Sequence, residues 1–91
     1  MSIIAKRLSE LEITLPAAGA PAAAYVMSSQ TGNTLFLSGH IAKKDGKPWV
    51  GKLGQNMTTE EGKAAARAIA IDLMATMQAH LGNLDRVKRI V

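Results

Sequence analysis

The chain contains no cysteine. That excludes disulfides, thiolate nucleophiles and cysteine-ligated metals, and it fits a reducing compartment. Aromatic residues are almost as scarce: Tyr25, Phe36 and Trp49 are the full set. Three rings give little support to base stacking along a single strand, so nucleic acid is not an expected partner. No apolar run approaches the ~20 residues of a membrane span, so no membrane partner is expected either. Lys6 and Arg7 interrupt the apolar start and no apolar run follows them. Without a secretory leader, the expected location is cytoplasmic, and the Asn56-Met57-Thr58 sequon is read as idle. Metal chemistry is not expected: His40 and His80 lie far apart, and no carboxylate stands at ligand spacing from either. Gly51-Lys52-Leu53-Gly54 lacks the spacing of a phosphate-binding loop, and spacing alone assigns no Ser/His/Asp triad.

What remains is a chain of 91 residues, read as one domain over residues 1–91. A chain this short buries only roughly 60–65% of its unfolded surface. The apolar fraction is 47%, but much of it is alanine, which buries little area. Oligomerisation is therefore the expected way to complete the core. The net charge is +4, with Lys43, Lys44, Lys47 and Lys52 in one cluster and Arg86, Lys88 and Arg89 in another. Such patches attract phosphates or carboxylates; the plainer reading is solvated surface.

Ser2 to Glu12 reads as a helix capped by Ser2, with Ile4, Leu8 and Leu11 at helical spacing. It should end before Pro16. Pro16 to Ala24 is a small-residue connector. Tyr25 to Thr31 and Thr34 to Ile41 flank Gly32-Asn33, the pattern of a hairpin with a two-residue turn. That turn sets Thr31 opposite Thr34, Ser29 opposite Phe36, Met27 opposite Ser38 and Tyr25 opposite His40. One face then carries Val26, Leu35, Leu37 and Ile41, the expected core side. The other carries Tyr25, Met27, Ser29, Phe36, Ser38 and His40. This second face is too apolar for bare solvent and too polar for a core, which suits a ligand cleft or a subunit interface.

Lys43 to Lys47 is read as a turn around Asp45-Gly46, and Trp49-Val50 as the start of a short third strand. Thr58 and Glu61 form a capping box that opens a long helix. Its apolar stripe runs through Ala66, Ile69, Ala70, Leu73, Met74, Met77 and Leu81, with Lys63, Arg67, Asp72 and Thr76 off it. Gly82 fits the left-handed position that ends such helices. Val87, Ile90 and Val91 read as the beginning of a further strand. His80, at the end of the long helix, is read as structural. The residues alone thus give a small α+β domain with a polar site on one sheet face.

Several stretches in order resemble the RidA/YjgF family of reactive-intermediate deaminases. They are Ala20-Pro21 followed by Tyr25, Thr31-Gly32-Asn33, Ser38-Gly39-His40-Ile41, Asp45-Gly46-Lys47 and Gly51-Lys52-Leu53-Gly54. The match continues through Thr59-Glu60-Glu61-Gly62-Lys63-Ala64-Ala65-Ala66 and Leu81-Gly82-Asn83-Leu84-Asp85-Arg86-Val87-Lys88. The opening Lys6-Arg7-Leu8 and Leu15-Pro16 resemble a subgroup with a longer N-terminus. The resemblance implies a chorismate-mutase-like α+β fold, a mixed sheet backed by helices, of which this chain is the N-terminal part. It also implies a homotrimer with clefts between subunits, and hydrolysis of enamine or imine intermediates such as 2-aminoacrylate to 2-keto acids and ammonia. The ligand expected from it is a small keto or imino acid, and no cofactor is needed. By resemblance Tyr25 and Ser38 are the catalytic candidates, and Gly39 and His40 the substrate-binding ones. His40 stands where the family has glutamine, which alters the hydrogen bonding and pH response of a cleft. The family's substrate-carboxylate arginine and late acidic residue have no counterpart here; Arg86 and Arg89 do not match that arginine. A non-catalytic ligand-binding trimer and an endoribonuclease or translation inhibitor are the competing expectations.

Overall fold

The hairpin forms where the sequence places its turn. The computed structural model describes residues 2–19 and 23–91; Ala20-Pro21, part of the resemblance above, lies outside them. Strands β1 (Ser28–Thr31) and β2 (Thr34–Leu37) pair antiparallel, with Thr31 opposite Thr34 and Ser29 opposite Phe36 as expected. Gly32 carries the turn at φ +57 while Asn33 stays at negative φ. A positive φ at the first central residue alone is the type II′ pattern, whose twist matches that of paired strands. The pleat then alternates: Leu35 and Leu37 are half-buried, Thr34 and Phe36 exposed.

Helix α1 (Ile3–Glu10) starts and stops by side-chain and backbone chemistry. The Ser2 hydroxyl accepts from the Ala5 amide. The Asp85 carboxylate, from the far end of the chain, accepts from the Ile3 and Ile4 amides and from the Ser2 hydroxyl. Four first-turn N–H groups of a helix lack internal partners, so this carboxylate joins the chain's two ends through charge-assisted bonds. At the other end the Glu12 amide donates to Ser9 O and the Ile13 amide to Leu8 O. This is a Schellman closure with Glu12 in the left-handed position, φ 58.

After β2 the chain turns through a second, smaller hairpin. Strands β3 (Lys43–Lys44) and β4 (Lys47–Pro48) pair around Asp45-Gly46. Trp49 therefore follows a strand rather than starting one; its amide extends the ladder to Ala42 O at 2.8 Å. Lys44 Nζ sits 4.9 Å from the Trp49 ring centre, a cation–π contact worth about 0.5–1 kcal/mol at an exposed site.

Helix α2 (Thr59–Leu81) opens with the capping box between Thr58 and Glu61 and closes on Gly82 at φ 82. Its most buried residues are Ala65, Ala75 and Thr76. The expected stripe is displaced: Ala66 and Ala70 are exposed, and Thr76, expected off the stripe, is 4% exposed. At 3.6 residues per turn the large apolar side chains from Ile69 to Leu81 fall within an arc of about 200°, whereas Ala65, Ala75 and Thr76 lie on the side opposite them. Small ones let the backbones approach. A 3₁₀ turn at Leu84–Arg86 follows and buries Leu84. Residues 87–91 form no strand; Ile90 and Val91 are exposed. Val26 and Ile41, expected in the core, are also exposed, at 68% and 51%. Among the described residues the buried apolar set is Ala42, Ala65, Ala75 and Leu84. Among the described residues no helix is long and apolar enough to cross a membrane.

Candidate functional site

Beyond Leu37 the β1–β2 ladder gives one more bond, from the Ser38 amide to Met27 O at 2.9 Å, and then stops. The Ser38 hydroxyl donates to the carbonyl of Val26. Tyr25 does not continue the ladder opposite His40; it lies in a bend, its amide donating to Ala23 O. The Ser38 and His40 side chains, expected side by side on one strand face, diverge because the strand has ended. The His40 ring turns onto α2.

There it is held at both nitrogens. Nδ1 lies 2.7 Å from the Ser38 carbonyl oxygen and Nε2 2.7 Å from the Thr76 hydroxyl. A carbonyl oxygen only accepts, so Nδ1 carries the proton. In the neutral ring Nε2 then accepts from the Thr76 O–H. The tautomer and the plane of the imidazole are both fixed.

His40 forms part of the wall of a cleft of about 470 Å³. Thr14, Pro16, Ala17 and Gly19 of the connector form one side, and Ala68, Ile71, Asp72 and Thr76 of α2 another. Tyr25, Met27, Gly39, His40, Ile41, Lys43 and Gly46 complete it. Tyr25, Gly39 and His40, three of the four residues singled out by sequence, therefore share one cavity. The fourth, Ser38, is outside the lining and ties the segment before Met27 to the end of β2. Thr76, Asp72 and Lys43 are the members that sequence reading missed. A signal existed for two of them: Ala68, Asp72 and Thr76 recur every four residues, which puts them in one row on a helix.

A second polar cluster lies at the far end of α2. His80 Nε2 is 2.8 Å from Gln30 Oε1 and Nδ1 is 3.2 Å from the Ser28 hydroxyl. The Gln30 amide nitrogen donates to Gly32 O, which leaves its oxygen for His80. This ring pins the helix end to β1 rather than lining the cleft. No group of side chains among the described residues has the makings of a metal site.

No family model matches the chain. Protein TCP17 of Trypanosoma cruzi is 49% identical over 89 residues, covering 97% of this chain and 56% of that protein. A candidate endoribonuclease of Shewanella oneidensis superposes with a TM-score of 0.88 at 32% identity, over 94% of this chain and 58% of its own. The protein Atu1372 of Agrobacterium tumefaciens, of unknown function, superposes at 0.79 with 32% identity, over 97% and 53%. The chain thus spans between half and three-fifths of the length of these relatives. The fold is α+β and YjgF-like, as the sequence resemblance implies; its named strands pair antiparallel.

Proposed function

We propose that this chain belongs to the RidA/YjgF family, in the subgroup with a longer N-terminus, and carries the small-molecule site of a cytoplasmic, cofactor-independent imine deaminase. The observation that carries this reading is the convergence of Tyr25, Gly39 and His40 on one cleft. The reaction needs few groups. An enamine acid takes a proton on carbon to become an imine; water adds to the imine carbon, the nitrogen takes a proton, and ammonia leaves as the carbonyl forms. Holding water and imine in register supplies most of the benefit, and a hydroxyl or imidazole at proton-transfer distance supplies the rest. Tyr25 is the proton donor of this scheme. His40 has both nitrogens engaged, Nδ1–H on Ser38 O and Nε2 on the Thr76 O–H, so the ring orients the Thr76 hydroxyl, whose oxygen keeps lone pairs to accept from substrate or water. Gly39 leaves its side of the cleft open. Ser38 acts through Val26, holding the Tyr25 segment against the end of β2.

A homotrimer is part of the proposal. Phe36 and Val26 are 61% and 68% exposed, apolar surface that a second subunit would cover. The test is ammonia and 2-keto acid release from 2-aminoacrylate generated in solution, with mass measured in parallel. Tyr25→Phe should lower turnover at least tenfold with the fold intact. An assembled protein that leaves enamine decay at its spontaneous rate would sink the deaminase reading. A second reading, endoribonuclease, is favoured by the description of the Shewanella relative and by the positive charge. It requires RNA cleavage and binding that falls steeply with salt.

A further inference from the structure

We propose that Asp85 is a positioning residue for the cleft: it latches a strap, residues 2–19, whose connector is one of the cavity's walls. The proposal concerns access to the cavity and stands or falls apart from the reading of its chemistry. Thr14, Pro16, Ala17 and Gly19 form that wall, and each of them is itself exposed. They run on from α1, whose Schellman closure sets the exit of the chain through the Ile13 amide on Leu8 O. Helix α1 buries no residue and half-buries only Leu8. Among the described residues, the 3₁₀ turn at Leu84–Arg86 is the only named element beside it.

The hold is narrow. Asp85 Oδ1 accepts from the Ser2 hydroxyl at 2.9 Å and the Ile4 amide at 2.8 Å, and Oδ2 accepts from the Ile3 amide at 2.8 Å. These are the only hydrogen bonds that join residues 2–19 to other described residues. The ion pair Arg7–Glu10 is internal to the strap. The post that carries the latch is firm: Leu84 is 5% exposed, and the Asp85 amide donates to Asn83 Oδ1 at 2.9 Å. Half-buried Leu8, Ile13 and Leu15 add apolar contact, which has no direction. The charge-assisted bonds to Asp85 supply the direction. A wall of Thr, Pro, Ala and Gly carries no long side chain to pin it from within the cavity. At Gly19 the nearest atom to an added Cβ would be the Lys43 amine, 3.6 Å away at the end of a flexible chain. One carboxylate outside the lining thus sets where that wall stands.

The chain has no cysteine, so one cysteine placed in the cleft reports on its cover. Ala68→Cys puts a thiol on α2 within the lining, and Lys63→Cys puts one on the same helix outside it. The test measures the rate at which an aromatic disulfide reagent modifies each thiol, with amide exchange at Ile3 and Ile4 followed in parallel. Asp85→Ala should release the Ile3 and Ile4 amides and speed modification of Ala68→Cys about tenfold, the order of one hydrogen bond to a charged group. Modification of Lys63→Cys should not change. Asp85→Glu keeps the carboxylate and should restore most of the protection. Ser2→Ala removes one bond and leaves the 3₁₀ turn untouched, so it serves if Asp85→Ala fails to fold; there the rate at Ala68→Cys should rise severalfold. Released amides with an unchanged rate at Ala68→Cys would overturn the proposal, because Asp85 would then hold α1 alone. Protected Ile3 and Ile4 amides in Asp85→Ala would overturn it as well. Equal acceleration at both thiols would trace the exposure to α2 and overturn it too.

Discussion

His40 and Thr76, 36 residues apart, meet at 2.7 Å between imidazole Nε2 and hydroxyl oxygen. The bond links the end of the first hairpin to the last third of α2 and sets the imidazole plane within the cleft wall. Thr76 is 4% exposed, so its hydroxyl has little water to fall back on. Thr76→Val keeps the shape and removes the bond, leaving the ring nitrogen without its partner. The expected cost is about 1–2 kcal/mol in urea unfolding, with Thr76→Ser costing less than half as much. A larger loss in Thr76→Ser than in Thr76→Val would mean that the methyl group, not the hydroxyl, carries the stabilisation.

The two carboxylates that close helix N-termini set the acid limb of stability. Glu61 is held below the ordinary glutamate range by the Thr58 amide first, then by the Thr58 hydroxyl and the charge of Lys44. Asp85 is held below the ordinary aspartate range by the Ile4 and Ile3 amides, with the Ser2 hydroxyl adding to them. A carboxylate whose folded pKa is depressed binds its proton more readily in the unfolded chain. Its contribution is complete above the unfolded pKa and is lost as pH falls through the folded one. Melting temperature should therefore be flat from neutrality down to pH ~5 and fall below it. Asp85→Asn and Glu61→Gln together should flatten that limb. In Asp85→Asn the loss should be local: exchange protection of the Ile3 and Ile4 amides falls while α2 keeps its own. An acid limb of unchanged slope in the double variant would assign it to other carboxylates.

Glu12 closes the Schellman turn of α1 at φ 58, a conformation that costs a residue with a Cβ about 1–2 kcal/mol. Glycine escapes that cost but gives the unfolded chain more freedom. Glu12→Gly should gain about 0.5–1 kcal/mol net, and Glu12→Val should lose at least as much. Chemical denaturation of the three proteins gives the order directly. A glycine variant less stable than the parent would mean that the Glu12 side chain supplies more than the turn suggests.

Local chemistry was legible in the sequence and packing was not. Gly32-Asn33 and the Thr58–Glu61 capping box are short-range signals, and both formed with the expected partners. The register followed from the turn as far as Met27 and Ser38. It failed at Tyr25 and His40 because the Ser38 hydroxyl and the His40 ring found other acceptors, a choice made by tertiary contacts. The packed face of α2 was misread for a related reason. Ile69, Leu73, Met74 and Met77 do share one side of the helix but are only half-buried there, and the close approach is made on the other side by Ala65 and Ala75. Trp49-Val50 looked strand-like by composition, but the Asp45-Gly46 turn had already placed the short ladder at Lys43–Pro48. In the cleft, Tyr25, Gly39 and His40 were found because a motif carried them. Lys43, Asp72 and Thr76 were missed because each reads as ordinary surface until β3 and α2 are set side by side.

His80 gives the last prediction, because it separates pinning from helix formation. Its ring nitrogens bond Gln30 and Ser28 on β1, at 2.8 and 3.2 Å. His80→Phe keeps a flat ring and a similar helix propensity and removes both bonds. The site is exposed, so water replaces part of what is lost and the expected cost is about 0.5–1.5 kcal/mol. Its distribution is the sharper readout. The amides of the β1–β2 ladder should exchange faster, since β1 loses its tie to the helix, while the first turns of α2 hold their protection through the capping box. Gln30→Leu should reproduce part of the effect, and adding it to His80→Phe should cost little more, because both remove the same bond. Fully additive losses would show that Gln30 and His80 stabilise the hairpin independently. The ring would then be a surface residue, not the clip between sheet and helix.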